Sequence, residues 1–350
     1  MFFSSDNAGP AAPEVMQALS RANEGYASPY GNDASMERVT ELMRNVLEAP
    51  EAAVYLVATG TAANVLALSC FAPGWTRIYT HRTAHIEEDE CGAPEFYTAG
   101  AKLHLLDGTD GKISPETLHQ AIADTPQGFV HGQQRGAISI TNLTECGTAY
   151  TPSDVAALGG VAQEFDLPLH MDGARFSNAV AGTNATAAQM TWQAGVDALS
   201  FGGTKNGLLG VEAVVFFDPK HAWEFELRRK RGAHLFSKHR YLSAQMEAYL
   251  TDDLWLRLAR QSNAMAKRLS DGIVALGGTL THPTDGNQVF ASWAKAGHVA
   301  AQAKGAQYYL WPHSETMDGD DDTPISARLV CNWATTEDDV DQFLEAIKAG

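Results

Sequence analysis

The chain has 350 residues, 45% of them hydrophobic and 19% charged, a balance that supports a large buried core with no disordered bias. Its formal net charge of −17 disfavours nucleic acid and anionic membrane surfaces as partners, yet leaves room for a small anion held by a few placed cations. There is no signal-peptide pattern and no uncharged apolar window of about eighteen residues, and the four cysteines form no CxxC pair, so a reducing cytoplasm is the expected setting.

Short apolar runs alternate with helical segments through the first two thirds. AAVYLVATG (52–60) predicts a buried strand entering a turn, and TAANVLALSCF (61–71) the helix after it. RIYTH, AKLHLLD and GAISIT predict further strands. PSDVAALGGVAQEFD is a helix opened by Pro152 and Ser153, and LPLHMDGAR is a strand running into a loop. VDALSFGGTKNG and VEAVVFFD are two more strands. Alternation of this kind predicts an α/β unit whose mostly parallel sheet is covered by helices.

Beyond about residue 220 the stretch HAWEFELRRKRGAHLF and its continuation is long, helical and interrupted near Gly232. A small α+β unit follows, with TLTHP, QVFASW and ARLVCNWA as strands and TEDDVDQFLEAIKAG as the last helix. A soft boundary is expected near 245, dividing the chain into a large unit, 1–245, and a small carboxyl-terminal unit, 246–350. The run DGDDD at 318–322 lacks the full spacing of a calcium loop, and no metal site is expected.

Three features carry chemistry. In ATGTAAN a buried strand, then Thr59-Gly60-Thr61, then a helix presents free N–H groups and hydroxyls at a positive dipole end, a natural phosphate cradle. It is neither a GxxxxGK[ST] loop nor a GxGxxG fingerprint. In LPLHMDGAR, Asp172 and Arg175 follow an apolar strand, where open α/β sheets bind ligands, although a loop salt bridge explains the same pair. In SFGGTKNG, Lys205 stands at another strand end, where a surface loop lysine is the plainer reading. Together these features meet the demands of pyridoxal phosphate: a lysine for the aldehyde, a carboxylate for the pyridine nitrogen and an anion site for the phosphate.

The chain resembles the threonine aldolases of the β-eliminating lyase group, enzymes of the aspartate aminotransferase-like architecture (fold type I). The resemblance runs nearly end to end, through SSDN, YGND, ATGTAAN, AHIEEDECGA, HMDGAR, FGGTKNGLLG and ARLVCNWA. It implies that Lys205 bonds the cofactor aldehyde and that Asp172 pairs with the pyridine nitrogen. Arg175 would lie by the phenolic oxygen and the substrate carboxylate. Gly60 and Thr61 would hold phosphate, with a hydroxyl added by Thr204. His85 would stack on the ring and act as acid or base, directly or through water. Ser5 and Arg328 would clamp the substrate α-carboxylate, with Tyr30 of YGND also at the substrate. Read from the residues alone, a capping or surface histidine in an acidic run is the plainer reading of His85, and an edge-strand arginine in a salt bridge is an alternative for Arg328.

Two segments depart from the family pattern. TNLTECGTAY lacks a second histidine and has Glu145 or Cys146 near its place, which leaves the catalytic base open. In RRKRGAHLF, Lys230 matches best a lysine that reaches the neighbouring subunit's phosphate, with Arg231 as rival. The implied reaction is retro-aldol cleavage of L-threonine, L-allo-threonine and related β-hydroxy-α-amino acids to glycine and an aldehyde. A homodimer or homotetramer with shared sites is implied as well. The alternatives are another reaction on the same scaffold (β-elimination or racemisation) and a non-catalytic ligand-binding homologue.

Overall fold

Runs that are buried on both faces build the centre of the molecule, as a sheet covered by helices on either side requires. The computed structural model describes residues 1–350. Seven strands form the main sheet: β1 (Ala53–Val57), β2 (Thr76–His81), β3 (Lys102–Leu106), β4 (Gln134–Thr141), β5 (Leu169–Gly173), β6 (Ala198–Phe201) and β7 (Glu212–Phe216). Their order is β1-β7-β6-β5-β4-β2-β3. Every pair from β6 to β3 is parallel, and β7 runs antiparallel to both its neighbours. Every residue of β5, β6 and β7 is buried.

The reversed direction of β7 matters for the site. Its first residue, Glu212, pairs with Val57 at the carboxyl end of β1, and Ala213 pairs with Phe201 at the carboxyl end of β6. An acidic side chain is thereby brought between the strand ends that lead to Thr59-Gly60 and to Lys205. The turns after β5 and β6 also touch: a Cβ on Gly202 would stand 2.2 Å from the Ala174 carbonyl oxygen, so only glycine permits the approach.

The expected helical stretch after residue 220 resolves into three helices, Ala222–Arg231, Arg240–Leu250 and Leu254–Ala275, the first of them ended by Gly232. The last spans two cores. Leu254, Trp255 and Leu258 join the main hydrophobic cluster, while Met265, Leu269 and Ile273 join a separate one. That second core underlies an antiparallel sheet ordered β10-β11-β9-β8, made of β8 (Thr279–Leu280), β9 (Gln288–Ala294), β10 (Tyr309–Leu310) and β11 (Pro324–Val330). TLTHP yields only the two residues of β8, and β10 is too short to leave a periodic signature.

The amino terminus also packs on this second sheet. Phe3 is fully buried there, donates its N–H to Gln307 at 2.8 Å and accepts from Val330 at 2.8 Å. Residues 5–7 are thereby delivered to the turns that follow β5 and β6, at the carboxyl end of the main sheet. No helix is long and apolar enough to cross a membrane.

Candidate active site

The helix Gly60–Phe71 begins at the end of β1 with Thr59 as its cap, the Thr59 hydroxyl accepting the Ala62 N–H at 3.2 Å. A Cβ on Gly60 would meet nothing within 4 Å, so the turn opens onto free space. On the facing turn the Thr204 hydroxyl is buried and without a hydrogen-bond partner. These groups border a cavity of about 250 Å³ that Asn64, His85, Asp172, Lys205 and Glu212 also line.

Asp172, at the end of β5, accepts from Asn64 Nδ2 at 2.8 Å and from the Ala174 N–H at 3.0 Å. The same Asn64 amide donates to Glu90 at 3.0 Å, and Glu90 accepts in turn from His85 Nδ1 at 2.9 Å. A single relay, Asp172–Asn64–Glu90–His85, buried up to the partly exposed imidazole, thus fixes the carboxylate and the imidazole against each other. The bond to Glu90 raises the His85 pKa above its ordinary value against the opposing effect of burial. The bond also assigns the proton to Nδ1 and leaves Nε2 for the cavity.

Lys205 lies in the short turn Thr204–Asn206, closed by Gly207 at φ +97°. Asn206 pins that turn from below, donating to the Tyr249 hydroxyl at 2.7 Å and to the Trp255 carbonyl at 2.9 Å. Glu212 accepts the Gly203 N–H at 2.7 Å, and the Thr204 hydroxyl adjoins this carboxylate without reaching hydrogen-bond geometry.

A second cavity of about 160 Å³ opens beside the first and shares Asn7, His85 and Lys205 with it. Ser5, Arg175, Arg328, Trp311, His313 and the carboxylates of Asp89 and Glu145 complete it. Arg175 is not free: it makes a bidentate pair with Asp6, Nε to Oδ2 at 2.7 Å and Nη2 to Oδ1 at 3.1 Å, both side chains buried. Arg328, on β11, has a buried Nε with no partner and lies 5.7 Å from the Trp311 ring centre. Burial first, and the nearby Arg175 charge second, lower its pKa. The Ser5 hydroxyl accepts the Asn7 N–H at 3.2 Å and borders the same space.

Gly60, Thr61, His85, Asp172, Thr204 and Lys205 therefore meet around one cavity, and Ser5, Arg175 and Arg328 around its neighbour. Tyr30, Lys230 and Arg231 line neither. Lys230 Nζ stands 5.1 Å from the Tyr30 ring centre, and Arg231 borders a separate surface groove with Tyr97 and Leu227. Asp6, Asn64, Glu90 and Glu212 are additional site residues. Two of them left a trace in the sequence: Asn64 is a lone amide in an apolar helix, and Glu212 a lone acid opening an apolar strand.

The residues present fit pyridoxal phosphate. The open helix end and the unpartnered Thr204 hydroxyl suit its phosphate, Asp172 its ring nitrogen and Lys205 its aldehyde. The unpartnered Arg328 nitrogen suits a carboxylate in the adjoining space.

Comparison with known proteins agrees with this chemistry. The chain is 37% identical over 348 residues to a low specificity L-threonine aldolase of Pseudomonas sp. (strain NCIMB 10558), covering 99% of this chain and 97% of that protein. The solved threonine aldolase of Leishmania major superposes with a TM-score of 0.91 at 26% identity, over 99% of this chain and 98% of that one. A serine palmitoyltransferase of Sphingomonas wittichii shares the fold, with a TM-score of 0.71 at 14% identity, over 100% of this chain and 86% of that one. Residues 3–296 match the family described as Beta-eliminating lyase, and on that match and the identity to the Pseudomonas protein the chain belongs to the beta-eliminating lyase family.

Proposed function

We propose that this protein is a pyridoxal phosphate-dependent aldehyde-lyase that cleaves L-threonine, L-allo-threonine and related β-hydroxy-α-amino acids to glycine and an aldehyde. One observation carries the reading: a single amine, Lys205, borders both the phosphate-and-ring cavity and the arginine-lined cavity beside it. A substrate whose amino group reaches the first space has its carboxylate in the second. The similarity to low specificity L-threonine aldolases supports the same reaction.

When bound, the cofactor supplies an electron sink for the pair released at the substrate Cα. The protein's part is orientation and proton transfer. Arg328 and Ser5 hold the α-carboxylate, and Arg175, braced by Asp6, stands behind it. Fixing the carboxylate sets which bond to Cα stands perpendicular to the ring, and that choice favours the Cα–Cβ bond. His85 presents Nε2 to the cavity and takes the β-hydroxyl proton directly or through water. Asp172, held by Asn64, is the carboxyl group that would pair with the ring nitrogen.

Tyr30 and Lys230, with Arg231 as the rival cation, lie away from both cavities, which favours a role at a neighbouring subunit's site in a homodimer or homotetramer. The exposed side chains of Tyr26, Tyr30, Leu209 and Phe236 are apolar surface that such an assembly would cover. The cytoplasm is the expected setting, and a division into two units near residue 245 fits the two separate sheets.

The test is aldehyde release from L-threonine, L-allo-threonine, D-threonine and serine, compared side by side, with borohydride trapping of the cofactor on Lys205. Aldehyde and glycine in equal amounts from the two L-threonines are expected, and Lys205→Ala abolishes both trapping and turnover. Ammonia and a keto acid without aldehyde would assign β-elimination instead, and wild-type turnover by Lys205→Ala would end the reading.

A further inference from the structure

A carboxylate in a phosphate cavity is a contradiction unless its charge is removed. Glu212 lines the same space as Thr59, Gly60, Thr61 and Thr204, and it is buried. The reversed strand β7 sets it beside Val57, just before the cradle turn, and the Gly203 N–H fixes one of its oxygens at 2.7 Å. A phosphate dianion drawn to the open helix end would therefore enter a space that already contains a buried acid.

We propose that Glu212 takes up a proton when a phosphate monoester binds in the Lys205 cavity, so that the carboxyl belongs to the phosphate site as a neutral acid. The inference rests on the reading of this cavity as the pyridoxal phosphate site and extends it to the proton balance of binding. Burial already pushes Glu212 up to about 7, against the lowering effects of the adjoining Thr204 hydroxyl, the Gly203 N–H and the Lys205 charge. A dianion brought alongside raises it further, because like charges in a buried space disfavour the ionised form.

The other charged and titratable groups around Glu212 do not offset this. Lys205 and the Thr204 hydroxyl face it from the lysine turn. From the helix Arg240–Leu250 comes Tyr249, a phenol that burial keeps neutral. His85 and Asp172 line the same cavity from the other side. Lys205 is the cation acting on Glu212, and its lowering effect is already present in the unliganded protein.

Full-length protein titrated calorimetrically at pH 8 with pyridoxamine 5′-phosphate, which cannot condense with Lys205, tests the inference. Running the titration in two buffers of different ionisation enthalpy counts the protons taken up. The ring nitrogen takes up protons equally in wild type and Glu212→Gln, so the difference between the two isolates the carboxyl. Wild type is expected to take up about one proton per site more than Glu212→Gln at pH 8, with affinity falling by up to about tenfold per pH unit above 7. The variant is expected to flatten that slope and bind at least as well at pH 8.5. Equal proton counts in the two proteins would overturn the inference.

If Glu212→Gln fails to fold, the infrared difference spectrum of wild type with and without pyridoxamine 5′-phosphate carries the decision. A protonated-carboxyl band must appear on binding, and its absence overturns the proposal. Failure of the cofactor reading looks different, since then pyridoxal phosphate neither binds nor is trapped on Lys205.

Discussion

Arg175 and Asp6 meet in a buried bidentate ion pair across 169 residues of sequence, at 2.7 and 3.1 Å. The pair ties the amino-terminal segment to the turn that follows Asp172, with Asn287 adding a third hydrogen bond to Asp6 at 3.0 Å. Burial by itself would raise the Asp6 pKa, but the Arg175 and Lys205 charges and the Arg175 and Asn287 hydrogen bonds overcome it and hold the carboxyl below its ordinary value. A depressed carboxyl contributes stability above its unfolded-state pKa and loses it as pH falls through the folded value.

Asp6→Asn is therefore expected to destabilise the protein by about 3–5 kcal/mol at neutral pH, because it strands a buried guanidinium. The loss should shrink on acidification, where wild type sheds the same contribution. Urea unfolding at pH 7 and at about pH 2.5, well below the ordinary carboxyl value, checks both parts. Equal midpoints for variant and wild type at pH 7 would show that the pair does not hold the segment in place.

Because Asp6 occupies the fork of Arg175, Arg328 is the guanidinium left for the substrate. Its Nε has no partner in the protein. Arg328→Lys keeps the charge and removes the planar fork, so it should cost one charge-assisted hydrogen bond, about 1.5–3 kcal/mol, or roughly 10- to 150-fold in kcat/KM. If the interaction is made equally with bound substrate and transition state, the change falls on KM. Steady-state kinetics with L-threonine read that split directly, and an unchanged kcat/KM would move the carboxylate site elsewhere.

Asn64 holds two buried carboxylates with one amide, giving 2.8 Å to Asp172 and 3.0 Å to Glu90. Asn64→Ala leaves both without that donor, a penalty of about 1–3 kcal/mol, and it frees Asp172 to turn away from the ring nitrogen. The expected readout is pyridoxal phosphate affinity reduced by roughly 5- to 150-fold with the fold retained. Equilibrium binding followed by absorbance and by circular dichroism separates the two effects, and unchanged affinity would remove Asn64 from the cofactor site.

These particular residues show how far the sequence was legible. The strand-to-turn positions of Gly60, Asp172 and Lys205 follow from apolar runs that end abruptly in small or polar residues, a local signal, and the sheet places them side by side. Asp6 and Glu90 follow from nothing local. Asp6 meets Arg175 only because Phe3 is anchored on the second sheet, and Glu90, in the bend after the short helix His85–Glu88, meets Asn64 only across the fold. Glu212 needed the antiparallel direction of β7, which hydrophobic patterning does not encode. Tertiary partners of charged groups are long-range facts, whereas turns and buried strands are short-range ones.

The His85–Glu90 bond has a pH signature. Glu90 holds His85 above its ordinary pKa, with burial opposing and Asp172 and Glu145 adding to the rise. A histidine acting as base must be neutral, so kcat/KM should climb with pH through an ionisation displaced above 6.5. Glu90→Gln removes the largest raising contribution and leaves burial, which lowers the pKa. The acid limb of the profile should then move to lower pH, giving the variant a higher fraction of its maximal rate at pH 6 than wild type. His85→Asn should abolish the limb together with most of the activity, a loss of about 10²–10⁴-fold for a general base. Profiles are taken at saturating cofactor, since Glu90 also supports Asn64. An acid limb that stays in place in Glu90→Gln would assign the base to another group in the second cavity, which Glu145 and Asp89 also line.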